Sequence, residues 1–234
     1  MDEHIIAIDG PAGSGKSTAA RRLAQAISFS YLNSGAMYRA VAFLASEGGI
    51  DLESTVKSED IAAIAHKMRF EYQLDEANHQ RFIVNGIDRT ESLFTAALTA
   101  KLKPVVNNLK VREELILKMR EAVRKFLIGG AKGVVMEGRD IGTVVFPDAP
   151  LKFYIHASLD ARTDRRAAEL HLRGDAVDRE GLREQIQYRD ETDKAREVGA
   201  LIQHDDAIDV DTTHLDEKAT LQFLVDKVRE HWPN

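Results

Sequence analysis

Gly10-Pro11-Ala12-Gly13-Ser14-Gly15-Lys16-Ser17 fits the pattern G-x-x-x-x-G-K-[ST], and its flanks are those the pattern requires. Before it, His4-Ile5-Ile6-Ala7-Ile8-Asp9 is a short apolar, β-branched run that reads as a buried strand. After it, Thr18-Ala19-Ala20-Arg21-Arg22-Leu23-Ala24-Gln25-Ala26-Ile27 has helical spacing and good helix formers. Strand, glycine loop and helix together make a phosphate cradle. Glycines let successive backbone N–H groups point inward, the helix N-terminus adds partial positive charge, and Lys16 reaches the β/γ-phosphates. Ser17 is placed to give its hydroxyl to Mg²⁺. A dinucleotide fingerprint is disfavoured, because Gly13-Ser14-Gly15 is followed by Lys16-Ser17-Thr18 rather than x-x-Gly. The loop implies a bound nucleoside triphosphate.

Bulk composition narrows the classes. A chain of 234 residues, 44% hydrophobic and 30% charged, is enough for one good core carrying a smaller insert. With five prolines and fifteen glycines, nothing suggests a low-complexity linker. The absence of cysteine excludes disulfides and thiolate metal sites and fits a reducing compartment. No apolar stretch approaches the ~20 residues that span a bilayer, and no signal core is visible, so a cytoplasmic protein without a membrane partner is expected. A net charge of −6 argues against nucleic acid as the main partner. Anionic substrates then need clustered arginines within an acidic protein.

Along the chain, Phe29–Leu32 is strand-like, and Ser34 is the expected N-cap of a helix over 36–45 stopped by Gly48-Gly49. Ser58 is expected to cap a second helix through about Ala65. The spacing then switches to two: Met68, Phe70, Tyr72 and Leu74 share one face. Asn85-Gly86, between Arg81–Val84 and Ile87–Thr90, is a strong hairpin signal. This small antiparallel sheet interrupts an α/β pattern and is read as part of an insert at 34–105. One long helix is expected from Pro104 to Leu127. Strands at 133–136 and 151–156 resume the βαβ rhythm, followed by helices near 158–172 and 178–192, a strand at 207–210 and a last helix from about 215 to 231. The fold class is α/β, a parallel sheet covered by helices within one domain over 1–234.

Three charged clusters stand out. Glu137-Gly138-Arg139-Asp140-Ile141-Gly142-Thr143 follows a strand, so Arg139 and Asp140 belong at the carboxyl ends where open α/β sheets bind ligands. Arg162, Arg165 and Arg166 share a helix face by spacing. The plain alternative is a solvated face with Arg165 paired to Glu169. Arg189-Asp190-Glu191-Thr192-Asp193-Lys194-Ala195-Arg196 has alternating charges that also suit an exposed helix end. The eight histidines show no zinc-ligand spacing.

Taken together, Ile8–Thr18, Ser34-Gly35-Ala36-Met37-Tyr38-Arg39, Val111-Arg112-Glu113, Glu137–Ala149, Arg162–Arg166 and Arg189–Arg196 resemble bacterial cytidylate kinases, a P-loop nucleoside-monophosphate kinase family. The order and spacing match across nearly the whole chain. The resemblance implies a kinase of pyrimidine nucleotide metabolism that moves the γ-phosphoryl of ATP to CMP or dCMP with Mg²⁺. It implies ATP binding by Gly10 through Thr18 and Mg²⁺ contact by Ser17. Ser34 would line the monophosphate site, and Arg39, Arg139 and Arg196 would grip the acceptor phosphate. Arg112 and Asp140 would read cytosine, and Arg189 and Asp193 would meet the ribose. Lys16, Arg139, Arg162 and Arg166 would act in the transfer, the last two on an arginine-rich lid at 158–174 that includes Arg165. A monomer is expected. Two positions depart from the family pattern: Lys103 stands where a serine is usual, and Leu109 where a proline is usual.

An ionised acceptor phosphate needs no general base, which accounts for the absence of a prominent catalytic His or Glu. Catalysis would come from alignment, Mg²⁺ and closing cations. Three other readings share the phosphate loop: a UMP or AMP kinase, a shikimate- or gluconate-type small-molecule kinase, and a non-catalytic nucleotide switch.

Overall fold

A computed structural model describes residues 4–54, 57–75, 80–172, 174 and 176–233. Positions 55, 56 and 76–79 of the expected insert and 173 of the expected lid lie outside the described residues. In chain order the elements are β1 (Ile5–Asp9), α1 (Lys16–Ile27), β2 (Ser30–Asn33), α2 (Ser34–Glu47), α3 (Ser58–Lys67), β3 (Phe70–Leu74), β4 (Gln80–Val84) and β5 (Ile87–Asp88). They continue with α4 (Ala96–Ala100), α5 (Lys103–Val106), α6 (Leu109–Ile128), β6 (Val134–Gly138), β7 (Leu151–His156), α7 (Leu159–Leu172), α8 (Arg179–Lys194), β8 (Ile208–Asp211) and α9 (Glu217–His231). A 3-10 turn at Ser92–Phe94 and a π-helical turn at Ile141–Val145 complete the set. The chain divides into two compact units: Met1–Leu32 with Phe126–Asn234, and Asn33–Lys125.

The first unit is built on a five-stranded sheet of order β2-β6-β1-β7-β8. β1 lies in the middle and runs parallel to β6 and β7, and β8 runs parallel to β7. A central strand buried on both faces needs side chains that are apolar in both directions, which is why Ile5-Ile6-Ala7-Ile8 does not alternate with polar residues. Ile6 and Ile8 pack with Leu23 of α1, Phe153 and Ile155 of β7, and Leu224 and Val228 of α9. The register places Asp9 beside both Gly138 and Tyr154, so β1 and β6 finish level while β7 runs two residues further, to His156. The strand order turns outward in both directions from β1, which is where such sheets open a crevice.

The second unit carries the three-stranded antiparallel sheet β3-β4-β5, with Tyr72 opposite Phe82. Asn85 (φ 51°) and Gly86 (φ 84°) both adopt the left-handed conformation that a two-residue hairpin turn demands. Phe70, Tyr72 and Phe82 stack with ring centroids 5.0–6.1 Å apart, while Leu74, at the end of the alternating face, is 56% exposed.

Local caps differ from the sequence reading in three places. Asn33, not Ser34, is the N-cap of α2: its side chain accepts from the Ala36 N–H at 3.2 Å, and Ser34 is the first helical residue. The position before α3 is Lys57, with Ser58 already inside the helix. The single helix expected from Pro104 is two helices, α5 and α6, parted at Asn107-Asn108. Asn108 accounts for the break, because its Oδ1 accepts from Val111 N–H at 3.2 Å while its Nδ2 donates to Ser58 O at 2.9 Å. Replacing Asn108 with Ala removes a cap and a long-range tie. It should lower stability by about 1–2 kcal/mol in urea unfolding, and an unchanged midpoint would remove Asn108 as the cause of the break.

Candidate active site

The phosphate loop leaves β1 hard against β7. A Cβ on Gly10 would sit 1.9 Å from the Ile155 carbonyl oxygen, so only glycine fits there. Gly15 (φ 83°) turns the chain into α1, whose first residue is Lys16. The lysine is 6% exposed and its Nζ donates to Pro11 O at 3.2 Å, across the loop. Burial lowers its pKa to about 7; the fields of Arg139 and Arg189 add to the fall, and Glu137 and Asp193 oppose it. Burial and arginine repulsion together mark a place where an anion is favoured.

The end of β6 supplies the next groups. Ser17 Oγ donates to Glu137 Oε1 at 2.8 Å, and Tyr31 Oη donates to the same oxygen at 3.3 Å. A hydroxyl and a buried carboxylate side by side are hard oxygen donors suited to Mg²⁺. Glu137 lies within the charged stretch after this strand's core, and its position near a strand end was the signal available in the sequence. Arg139 Nε donates to Asp193 Oδ2 at 2.8 Å and its Nη1 to Gly138 O at 3.2 Å, while Arg196 grips Asp193 Oδ1 from the other side. Burial alone would raise the Asp193 carboxyl, but the guanidinium groups of Arg139 and Arg196 hold it below its ordinary value. Asp140 is buried beside this group, and Arg189 is exposed on α8. The structure thus brings Lys16, Glu137, Arg139, Asp193 and Arg196 to one edge of the sheet, within the field of Arg189.

The three arginines of the expected lid do not form one cluster. Arg162 is buried; its Nε donates to Ala157 O at 3.0 Å, and its Nη1 donates to Ala12 O at 3.1 Å and Asp190 Oδ2 at 2.5 Å. Arg165 turns to Thr212, with Nη1 on Oγ1 at 3.0 Å and Nη2 on the carbonyl at 2.5 Å, and the Thr212 hydroxyl donates to Ser14 O at 3.2 Å. Arg166, not Arg165, pairs with Glu169, at 2.7 Å. Spacing on a helix face could not reveal partners on α8 and after β8.

In the second unit, Ser34 is buried at the start of α2. Arg39 Nη1 donates to Leu93 O at 3.1 Å and Thr99 Oγ1 at 2.8 Å, and its guanidinium lies 5.0 Å from the Phe94 ring. Arg112 is 2% exposed, with Nη1 donating to Val106 O at 3.3 Å and its guanidinium 5.7 Å from the Tyr38 ring. Lys103, the departure from the family pattern, opens α5.

The family model for cytidylate kinase matches residues 6–230. The chain belongs to the cytidylate kinase family. The proteins named cytidylate kinase in Bacillus thuringiensis (strain Al Hakam) and Bacillus anthracis (strain A0248) are each 39% identical over 226 residues, covering 96% of this chain and 96% of theirs. Among solved structures, TT1252 from Thermus thermophilus superposes with a TM-score of 0.54 at 17% identity, covering 99% of both chains. An uncharacterized protein from Eubacterium ventriosum superposes with a TM-score of 0.51 at 14% identity, covering 97% of this chain and 99% of that one. At these identities the two structures speak for the fold alone. Among the described residues no helix is long and apolar enough to cross a membrane.

One acid of this cytidylate kinase family member escaped the sequence reading. Asp9 is buried at the end of β1, and burial pushes its pKa from 3.8 up to about 7 against the opposing bonds from Gly142 and Ile141 N–H. The folded protein therefore holds a proton on Asp9 that the unfolded chain has released between about pH 4 and pH 7. The stabilising contribution of this group is full below pH 3.8 and is lost as pH rises through about 7. Unfolding titrations across that window should show a falling contribution of up to ~1.4 kcal/mol per pH unit, absent in Asp9→Asn. Parallel pH profiles of the two proteins would count against a raised carboxyl.

Proposed function

We propose that the protein transfers the γ-phosphoryl of ATP to CMP or dCMP, giving ADP and CDP or dCDP. Membership of the cytidylate kinase family supports the reaction class. The observation that carries the reading to residues is the packing of Lys16 within the field of Arg139, which leaves the phosphate loop and the Arg139–Asp193–Arg196 group sharing one cationic edge. The donor polyphosphate occupies the loop from Gly10 to Thr18. Arg139 and Arg196 hold the acceptor phosphate, Asp193 and Arg189 the ribose, and Asp140 the exocyclic amine of cytosine, a donor that uracil lacks. The unit Asn33–Lys125 serves as the acceptor-binding subdomain and contributes Ser34, Arg39 and Arg112. The α7 segment, with Arg162, Arg165 and Arg166, serves as the lid.

Mg²⁺ would be held by Ser17 Oγ and Glu137 Oε1 and would supply positive charge to neutralise charge developing in the transfer. The chain's own residues do the remaining work. Backbone N–H groups of the loop orient the donor, arginines align the acceptor oxygen, and closure excludes water so that ATP is not hydrolysed.

Assays of the purified full chain with ATP against CMP, dCMP, UMP, AMP and shikimate separate this reading from its rivals. ADP release should depend on CMP or dCMP, and release without any acceptor dependence would refute the kinase reading. Arg139→Ala should lower kcat/KM for CMP by roughly 10²–10³-fold with ATP binding retained; wild-type kinetics would remove Arg139 from the acceptor site. Glu137→Gln should raise the Mg²⁺ concentration for half-maximal activity by about tenfold. An unshifted Mg²⁺ titration would take Glu137 out of the metal site.

A further inference from the structure

Thr212 follows β8 directly and is buried. Its backbone N–H donates to His156 O at 2.8 Å, which fastens it to the end of β7. From α7, Arg165 Nη1 donates to the Thr212 hydroxyl at 3.0 Å, and Arg165 Nη2 donates to the Thr212 carbonyl. A hydroxyl that accepts from a guanidinium gives its single proton to some other acceptor. The Thr212 oxygen lies 3.2 Å from Ser14 O and 3.0 Å from His156 O, so that proton is shared between the phosphate loop and the end of β7. One side chain therefore joins three segments that are far apart in sequence.

The Ser14 carbonyl is the informative partner. Across a trans peptide the C=O and the following N–H point in opposite directions. A donor that holds Ser14 O toward Thr212 thus turns Gly15 N–H the other way. Arg162 acts alike nearby: its Nη1 donates to Ala12 O at 3.1 Å, which turns Gly13 N–H away from that guanidinium. The helix lies close behind the loop, with Arg162 Cβ 3.3 Å from where a Gly13 Cβ would stand and Arg165 Nη1 3.9 Å from its Gly15 counterpart. Loop N–H groups of this kind cradle phosphate oxygens. Glycine peptides rotate too freely to keep such an aim unaided, so the tie must come from outside the loop.

We propose that Thr212 is a positioning residue for the donor triphosphate: its hydroxyl, oriented by Arg165, holds the Ser14 carbonyl and so aims Gly15 N–H at the phosphates. The proposal rests on Gly10 through Thr18 holding the donor. Valine at position 212 has nearly the same shape as threonine but no hydroxyl, and it releases the Ser14 peptide. Serine loses only a methyl group and keeps the tie.

The test compares Thr212→Val, Thr212→Ala and Thr212→Ser in the full chain. ADP binding with Mg²⁺ is measured by calorimetry, and steady-state kinetics are run with ATP and CMP varied separately. Thr212→Val and Thr212→Ala should each weaken ADP binding and raise KM for ATP by about tenfold, with KM for CMP within about twofold of wild type. Thr212→Ser should stay within about twofold on all three measures, although it fills less space than valine. Unchanged ADP affinity in the valine and alanine variants, equal losses toward ATP and CMP, or a serine variant as impaired as alanine would each overturn the positioning role. Failure of both hydroxyl-free variants to fold would overturn it as well, because the hydroxyl would then be a tie of the fold. A wild-type protein that binds ADP without CMP-dependent turnover would overturn the kinase reading alone, leaving the Thr212 series to be decided on ADP affinity. A wild-type protein that binds no ADP would overturn both.

Discussion

A buried lysine held among arginines is the constraint on which the proposed donor side of this protein turns. Taking an ammonium out of water costs several kcal/mol, and Arg139 and Arg189 raise that cost through repulsion. Glu137 and Asp193 offset part of it. The remainder is the kind of imbalance a polyphosphate corrects, because it supplies negative charge where Lys16 already sits. The rest of the fold keeps the lysine there. β1 runs down the middle of the sheet, Gly10 lets the loop touch the β7 backbone, and Gly15 starts α1 at Lys16 itself.

Asp193 plays the complementary part on the proposed acceptor side. It lies between Arg139 and Arg196, with one oxygen toward each. Two guanidinium groups fixed by one carboxylate lose little side-chain freedom when a ligand arrives, so the ordering cost of binding falls on folding rather than on recognition. An incoming phosphate must compete with Asp193 for the same donors. The arrangement therefore favours a dianion, which can hold both arginines, over a neutral hydroxyl, which cannot.

What was legible in the sequence was what local pattern encodes. The phosphate loop, the buried β1 run and the Asn85-Gly86 hairpin depend on neighbours a few residues away, and each appears as read. The family pattern around Arg139 reached further, because motif order carries information that periodicity does not. The break at Asn108 stayed hidden because one of its bonds goes to Ser58, fifty positions back. The choice between Asn33 and Ser34 as cap was also undetermined, since both residue types cap well and the extended backbone at Asn33 (φ −98°, ψ 107°) decides it. Asp9 and Glu137 are single acids at strand ends, and their roles depend on which strands lie side by side. Strand order is a property of the whole sheet, and nothing local announces it.

The three arginines of the proposed lid, alike in sequence, are unequal in energy. Arg162 donates to two carbonyls and a buried carboxylate, and breaking such a pair costs about 3–5 kcal/mol. Arg165 is tied to Thr212, whose hydroxyl reaches the loop carbonyl of Ser14. Among the described residues Arg166 is held by an exposed pair with Glu169, worth about 0–1 kcal/mol. A phosphate drawing on this helix would therefore recruit Arg166 first and Arg162 last. Within the proposed lid, Arg166 is the residue free in energy to reach, and Arg162 anchors the helix to the phosphate loop at Ala12 and to α8 at Asp190. The anchor matters as much as the reach, because a closing segment must keep one end fixed on the loop whose ligand it covers.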